Sequence, residues 1–428
     1  LRNTVFGCIV LVLVLSSCKE QRPQLDIPAP VKAPYTSDSL QLSKDIYYDK
    51  VLGALVGSAI GDAMGASTEM WYRKDIQLKY GYITGLTPAV RVQSPEGTWE
   101  HNLMSGATTD DTRWKYLMVK YFSQYRADPS PSHFANFITD YYTDLTHTLG
   151  DTEVRTQTDA LDDRIEKIDW IKEWARVALA YQNSPEEYQK AQNRFYGGEL
   201  SCAGQLYTPM FGLLAHSPEE AYRMAYEHSL FDLGYAKDIS ALVAALTHMT
   251  LRTNAMDSIL DVATFVDPYG YQDSRLVGRI SYGIADASIK NVLAIREKPL
   301  VDSLIAQDSI IFKIPAGFPE SPKEWVRQEM VYQFLEKEAR AIPFHSGEIW
   351  QILITGLQFG GGDFDKTLQF IVNYGRDNDT VAAVAGMILG AKEGYANLPE
   401  KLKEEVLRVN RENLGIDLEL LAKEMADH

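Results

Sequence analysis

Gly53, Gly57, Gly61 and Gly65 recur every four residues near one end of the chain, and Ala382, Gly386, Gly390 and Gly394 recur at the same interval near the other. At that spacing each set lies along one slowly drifting stripe of a helix, a face without side chains that another backbone can approach very closely. A glycine costs up to about 1 kcal/mol per helix position relative to alanine, so its repeated use needs a compensating gain, and close packing at the centre of a bundle supplies one. Asp62 lies inside the first set and Lys392 and Glu393 inside the second, which argues against membrane-spanning segments. The two stripes therefore predict two central helices from opposite ends of the chain, packed near each other in a single all-α domain.

The rest of the chain supports helices. Ser184-Pro185-Glu186-Glu187, Ser217-Pro218-Glu219-Glu220 and Ser321-Pro322-Lys323-Glu324 each place a capping serine, a proline at the first helical position and a glutamate able to reach back to the cap. Ile165–Tyr181 and Ile239–Leu251 read as amphipathic helices, whereas strand-like runs such as Ile310–Ile314 are isolated and no β-α alternation appears. The triplet Gly360-Gly361-Gly362 reads as a flexible turn.

The first residues stand outside this pattern. Arg2 precedes the apolar run Val5–Leu15, too short to span a bilayer but suited to a signal-peptide core, and Leu15-Ser16-Ser17-Cys18 resembles a bacterial lipoprotein box. The expectation is a signal peptide over 1–17, a lipidated Cys18, a proline-containing tether over 18–45 and a folded domain over 46–428. The membrane would then be met only through the lipid, at the bacterial cell envelope on its periplasmic or outer-surface face. Of the three cysteines only Cys202 would remain a free thiol. The formal net charge of -16 and the lack of basic runs exclude nucleic acid as a partner.

Two acidic clusters carry the chemistry. Thr109-Asp110-Asp111-Thr112 directly precedes the amphipathic run Trp114–Phe122, and Asp377-Asn378-Asp379-Thr380 directly precedes the small-residue helix beginning at Val381. Either alone is what a helix N-cap looks like, since aspartate and threonine cap well and acidic first turns complement the helix dipole. Together they offer four carboxylates and several hydroxyls with no lysine or histidine interspersed, a hard oxygen donor set that suits Mg²⁺ or Mn²⁺. Brought together without cations, such carboxylates would repel and several would protonate; a pair of divalent ions resolves this. There is no zinc-type histidine pair, no CxxC and no phosphate-binding glycine loop.

The stretch Gly61-Asp62-Ala63-Met64-Gly65-Ala66-Ser67-Thr68-Glu69, then Thr109-Asp110-Asp111-Thr112, then Gly375 through Gly386 resemble, in order and rough spacing, the opening, central and closing motifs of the ADP-ribosylglycohydrolase family. The resemblance implies a compact orthogonal bundle of helices with two Mg²⁺ ions, Mn²⁺ being an alternative. Their ligands would be Thr109, Asp110, Asp111, Asp377, Asp379 and Thr380. It also implies a catalytic Glu69 beside the scissile bond, orienting or deprotonating a water, and substrate contacts from Asp62 and Gly65. The chain departs from the family pattern in places. Leu200-Ser201-Cys202 stands where a Gly-Asn-Gly loop is usual, Phe231-Asp232 replaces a Thr-His pair, and 151–198 and 291–325 look enlarged.

The activity implied is metal-dependent hydrolysis at the anomeric carbon of a ribosyl group, on a small-molecule or protein-linked ADP-ribosyl substrate. Hydrolysis of another ribosyl or nucleoside-type bond is the first alternative. The second is a metal-stabilised binding lipoprotein without catalysis, against which the presence of Glu69 argues.

Overall fold

The computed structural model describes residue 40 and residues 42–89, 104–150, 158–300 and 313–427. The expected signal peptide, Cys18, nearly all of the tether and most of the strand-like run 310–314 lie outside the described residues. The first half contains α1 (Lys44–Gly65), a two-residue strand β1 (Trp71–Tyr72), α2 (Arg73–Tyr80), α3 (Asp110–Tyr125), α4 (Pro131–Gly150), α5 (Thr158–Asn183) and α6 (Pro185–Tyr196). It continues through α7 (Pro209–Leu214), α8 (Pro218–His228), α9 (Tyr235–Thr250), α10 (Met256–Leu260), α11 (Val262–Phe265) and α12 (Ile280–Glu297). The last part holds α13 (Pro322–Glu338), α14 (Ser346–Gly360), α15 (Phe364–Tyr374), β2 (Gly375–Arg376), α16 (Asn378–Glu393), α17 (Glu400–Val409) and α18 (Leu418–Asp427). The protein is all-α, and its described strands are one antiparallel pair, β1 with β2.

The glycine stripes do what their spacing predicts, and the structure adds their direction. Cβ atoms placed on Gly53, Gly57 and Gly61 would lie closer than 3.0 Å to backbone atoms of Gly390, Gly386 and Ala382 respectively. A Cβ on Gly65 would meet the backbone of Asp379 in the same way. The order of partners shows α1 and α16 running antiparallel in backbone-to-backbone contact, both buried from Val51 to Gly65 and from Asn378 to Ala391. This brings the C-terminal end of α1 to the N-terminal end of α16. Lys50 fixes the other end, its Nζ donating to the carbonyls of Ala391 at 2.9 Å and Thr250 at 3.0 Å, so one ammonium caps the C-termini of α16 and α9.

The three serine boxes are caps. Ser184, Ser217 and Ser321 accept from the backbone N–H of Glu187, Glu220 and Glu324 at 3.2, 3.1 and 3.4 Å. The return contact differs from expectation in the second box, where Glu220 accepts from the N–H of His216, one residue before the cap. Within α5, Ile168, Ile171, Ala175 and Ala178 face the core at helical spacing. The stretch 239–251 is corrected: α9 is buried on every face from Asp238 to Thr250. Its polar residues do not mark a solvent face because each is short or satisfied internally; Thr247 donates to the Val243 carbonyl at 2.9 Å and His248 Nδ1 lies 3.1 Å from the Gly212 carbonyl. The glycine triplet ends α14, with Gly361 and Gly362 at φ 63° and 81°, a left-handed stop that glycine adopts without strain. Among the described residues no helix is long and apolar enough to cross a membrane.

Candidate functional site

Where α1 ends, residues 66–70 form a turn that carries Glu69 and then pairs as β1 with β2, Trp71 opposite Arg376 and Tyr72 opposite Gly375. β2 leads at once into Asp377 and α16. The ribbon thus ties the Glu69 turn to the Asp377 turn, and the Met70 N–H donates to the Arg376 carbonyl at 2.7 Å. Met70 and Arg376 are the two non-glycine residues with positive φ among the described residues, 63° and 66°. Each adjoins an acidic residue of the site, and backbone held in this region costs of order 1–3 kcal/mol unless the surroundings enforce it. Here they do: Asn378 donates to Thr68 Oγ1 and to the Val372 carbonyl, both at 2.8 Å, and Arg376 is ion-paired to Glu348 at 2.5 Å.

The result is a convergence of three carboxylates. One oxygen each of Glu69, Asp377 and Asp379 lie within 4.8 Å of one another. Asp377 and Asp379 are 4% and 2% exposed, Glu69 is half-buried, and Cys202 donates its thiol to Asp377 Oδ2 at 3.5 Å. Burial, followed by the nearby Asp377 and Asp111 carboxylates, pushes the Cys202 thiol pKa well up, so it stays a donor. The oxygen donors fit one hard divalent cation such as Mg²⁺ or Mn²⁺.

The central cluster is placed differently. Thr109 caps α3, accepting from the Asp111 N–H at 3.4 Å. Asp110 is half-buried and lines the cavity described below. Asp111 turns inward: its Oδ2 accepts from Thr380 Oγ1 at 3.0 Å and its Oδ1 lies 3.4 Å from Lys115 Nζ, the Lys115 and Asp111 side chains each being 1% exposed. Lys115 lies outside the cluster, and its signal in the sequence is the i,i+4 spacing from Asp111 on the helix the cluster begins. No lysine lies within the cluster, but one offsets Asp111 from the next turn of the helix.

Neither Asp62 nor Gly65 lines the cavity. Asp62 is fully buried on α1 and faces the start of α3, where it accepts from the Thr109 N–H at 2.9 Å, the Thr112 N–H at 3.0 Å and the Thr112 hydroxyl at 2.6 Å. It is a helix cap supplied by a different helix, satisfying donors that α3 itself leaves open. Burial first, then the Asp111 charge, raises its pKa to about 6. Gly65 lets the Asp379 backbone approach.

The carboxylates form the floor of a cavity of about 320 Å³. Trp170 and Trp174 from α5, Phe195 and Tyr196 from α6, and Phe344 make an aromatic wall. The first four come from the 151–198 stretch that the sequence marks as enlarged. Lys172 is the basic residue among the described lining residues, and it is paired with Asp169 at 3.0 Å. The Leu200-Ser201-Cys202 stretch pairs with Phe344–Ser346, the Cys202 N–H donating to the Phe344 carbonyl at 2.9 Å and the Ser346 N–H to the Leu200 carbonyl at 2.7 Å. Asp232 braces the turn that follows: it accepts from the Gly204 N–H at 2.8 Å and Ser240 Oγ at 2.6 Å, and burial raises its pKa to about 6. The departures from the family pattern thus shape one wall of the cavity and its support.

A family model described as ADP-ribosylglycohydrolase matches residues 43–428. Among solved structures, an "ADP-ribosylglycohydrolase-related protein complex" is similar over 90% of this chain and 99% of its own, at 18% identity and a TM-score of 0.49. No curated protein matches the chain.

Proposed function

Because the chain belongs to the ADP-ribosylglycohydrolase family, we propose that it is a divalent-metal-dependent hydrolase of a glycosidic bond at the anomeric carbon of a ribosyl group, acting on ADP-ribosyl conjugates. The observation that carries this is the meeting of Glu69 with Asp377 and Asp379 on the floor of an aromatic-walled cavity, from opposite ends of the chain. Mg²⁺, or Mn²⁺ in its place, would be held by Asp377 and Asp379 with help from Glu69. When bound, such an ion supplies Lewis-acid stabilisation of developing charge and a template for ribose hydroxyls.

The chain's own residues do the rest. Glu69 accepts a proton from a water that bonds to the anomeric carbon as the glycosidic bond breaks through an oxocarbenium-like transition state, the leaving group departing with the bond's electron pair and taking up a proton from solvent. The ribbon holds Glu69 in register with Asp377, so the base and the ribose site do not drift apart. The wall of Trp170, Trp174 and Tyr196 offers faces and edges to a planar leaving group and excludes bulk water.

A second reading, hydrolysis of a nucleoside-type bond, is favoured by the charge of the cavity. Its described lining has Glu69, Asp110, Asp169, Glu173, Asp377 and Asp379 against a single, already paired Lys172, so a diphosphate finds no free basic partner there. Lipidation of Cys18 and attachment to the bacterial cell envelope are proposed on the Leu15-Ser16-Ser17-Cys18 box alone.

The test is a hydrolysis screen with Mg²⁺, Mn²⁺ or chelator, covering ADP-ribosyl-arginine, ADP-ribosyl-serine, O-acetyl-ADP-ribose and simple nucleosides. The expected result is turnover abolished by chelator, with Glu69→Gln losing about 10²–10⁴ of kcat while folding and still binding substrate. Turnover of nucleosides alone selects the second reading; no turnover with any substrate overturns the catalytic reading and leaves a binding protein, whereas Glu69→Gln at the wild-type kcat removes Glu69 from the catalytic role.

A further inference from the structure

The two acidic clusters meet in the fold, but they are not equivalent there. Glu69, Asp377 and Asp379 share one small space, whereas Asp111 is joined to Lys115 and Thr380. Lys115 leaves α3 one turn after Asp111, and its amine is delivered to the carboxylate inside the protein, not to solvent. A buried ammonium is retained only where an anion and hydrogen-bond acceptors compensate it, and a buried carboxylate makes the same demand in reverse. Asp111 and Lys115 meet both demands for each other. An ammonium also donates hydrogen bonds and offers no lone pair, so it cannot join a metal's ligand set; beside Asp111 it repels any divalent ion that would use the same carboxylate.

We infer that Lys115 takes the place, in charge, of the second cation the sequence resemblance implies, so that the centre holds one divalent ion, carried by Glu69, Asp377 and Asp379. Asp111 is then the partner of Lys115 and the acceptor that orients Thr380, not a ligand. The inference rests on the metal reading of the site proposed above. It makes Lys115 the residue that sets the metal count, and it makes the charge at this side of the centre independent of metal supply.

The experiment counts ions and needs no turnover. The full chain is stripped with chelator and titrated with Mn²⁺, the bound metal being measured by elemental mass spectrometry and its spin state by electron paramagnetic resonance. Wild type is expected to bind one Mn²⁺ per chain with the signal of an isolated ion. Lys115→Met, which keeps the length and apolar stem but removes the charge, is expected to take up a second Mn²⁺ coupled to the first. Two ions in the wild type overturn the inference, as does a folded Lys115→Met that still binds one. No bound ion in the wild type overturns the metal reading beneath it, a distinct failure. Should Lys115→Met not fold, Asp111→Asn decides: as an outer partner it costs at most about 10–100-fold in Mn²⁺ affinity and leaves the count at one, whereas a folded variant that binds none makes Asp111 a ligand and overturns the inference.

Discussion

Replacing Gly57 by alanine adds a single methyl group at the crossing of α1 and α16, and the structure sets its cost. The new Cβ would fall closer than 3.0 Å to the Gly386 carbonyl oxygen and 3.0 Å from the Gly390 Cα, all backbone atoms of α16. No side chain can swing aside, so the two helices must separate by roughly 1 Å, which forfeits a quarter to a half of each close contact across the seam. With about 0.1–0.2 kcal/mol per atom pair over some tens of pairs, the loss is about 2–4 kcal/mol, in line with other overpacked cores. Helix propensity returns about 1 kcal/mol, leaving a net destabilisation of about 1–3 kcal/mol. Gly283 on α12 supplies the control, because nothing lies within 4 Å of the Cβ it would gain; alanine there should stabilise by about 0.5–1 kcal/mol. Urea denaturation followed by circular dichroism, at unchanged slope, reads both. Opposite signs are expected, and Gly57→Ala should also weaken Mn²⁺ binding, since the same seam sets the distance between the Glu69 turn and Asp379. Equal stabilisation by both substitutions would refute the argument that backbone contact, not helix propensity, selects these glycines.

Two further outcomes are expected. Burial, chiefly against Phe134, Phe211 and Tyr121, lowers the pKa of His228 to about 4 from an ordinary 6.5. Between those values the unfolded chain binds the proton and the folded chain does not, so stability is full above about 6.5 and falls as pH drops toward 4, by about 3 kcal/mol for this residue. The difference between wild type and His228→Gln, which cancels other titrating groups, should show that slope, and a flat difference between pH 7 and 4.5 would rule it out. Expressed with its leader in a bacterial host, the chain should carry a diacylglycerol-sized mass increment at Cys18, absent from Cys18→Ala; an unmodified cysteine in the wild type by intact-mass analysis ends the lipoprotein reading.

The helices, their caps and the two central stripes were legible in the sequence because each is a local or periodic property: a serine and a glutamate three residues apart, or a glycine every fourth residue, mean the same thing in any surroundings. The acidic clusters were legible for the same reason, as was their placement at helix starts. What one strand of sequence could not say is which neighbour meets which group. The antiparallel sense of α1 and α16 brings the Glu69 turn to Asp379, and no spacing within either stripe encodes it. The ribbon of two residues per strand, closed by Met70 and Arg376 in positive φ, is too short to leave an alternation pattern, and its backbone conformation is imposed by its partners. Asp62 reads as a motif residue, yet it caps a helix that begins 48 residues later because α3 happens to start against its face of α1. Lys115 reads as one lysine among many until folding removes water from around it and leaves Asp111 as its charge partner. Side-chain chemistry and short-range spacing belong to the chain alone, whereas charge balance and cavity walls depend on distances between residues far apart in sequence, which only the packed bundle creates.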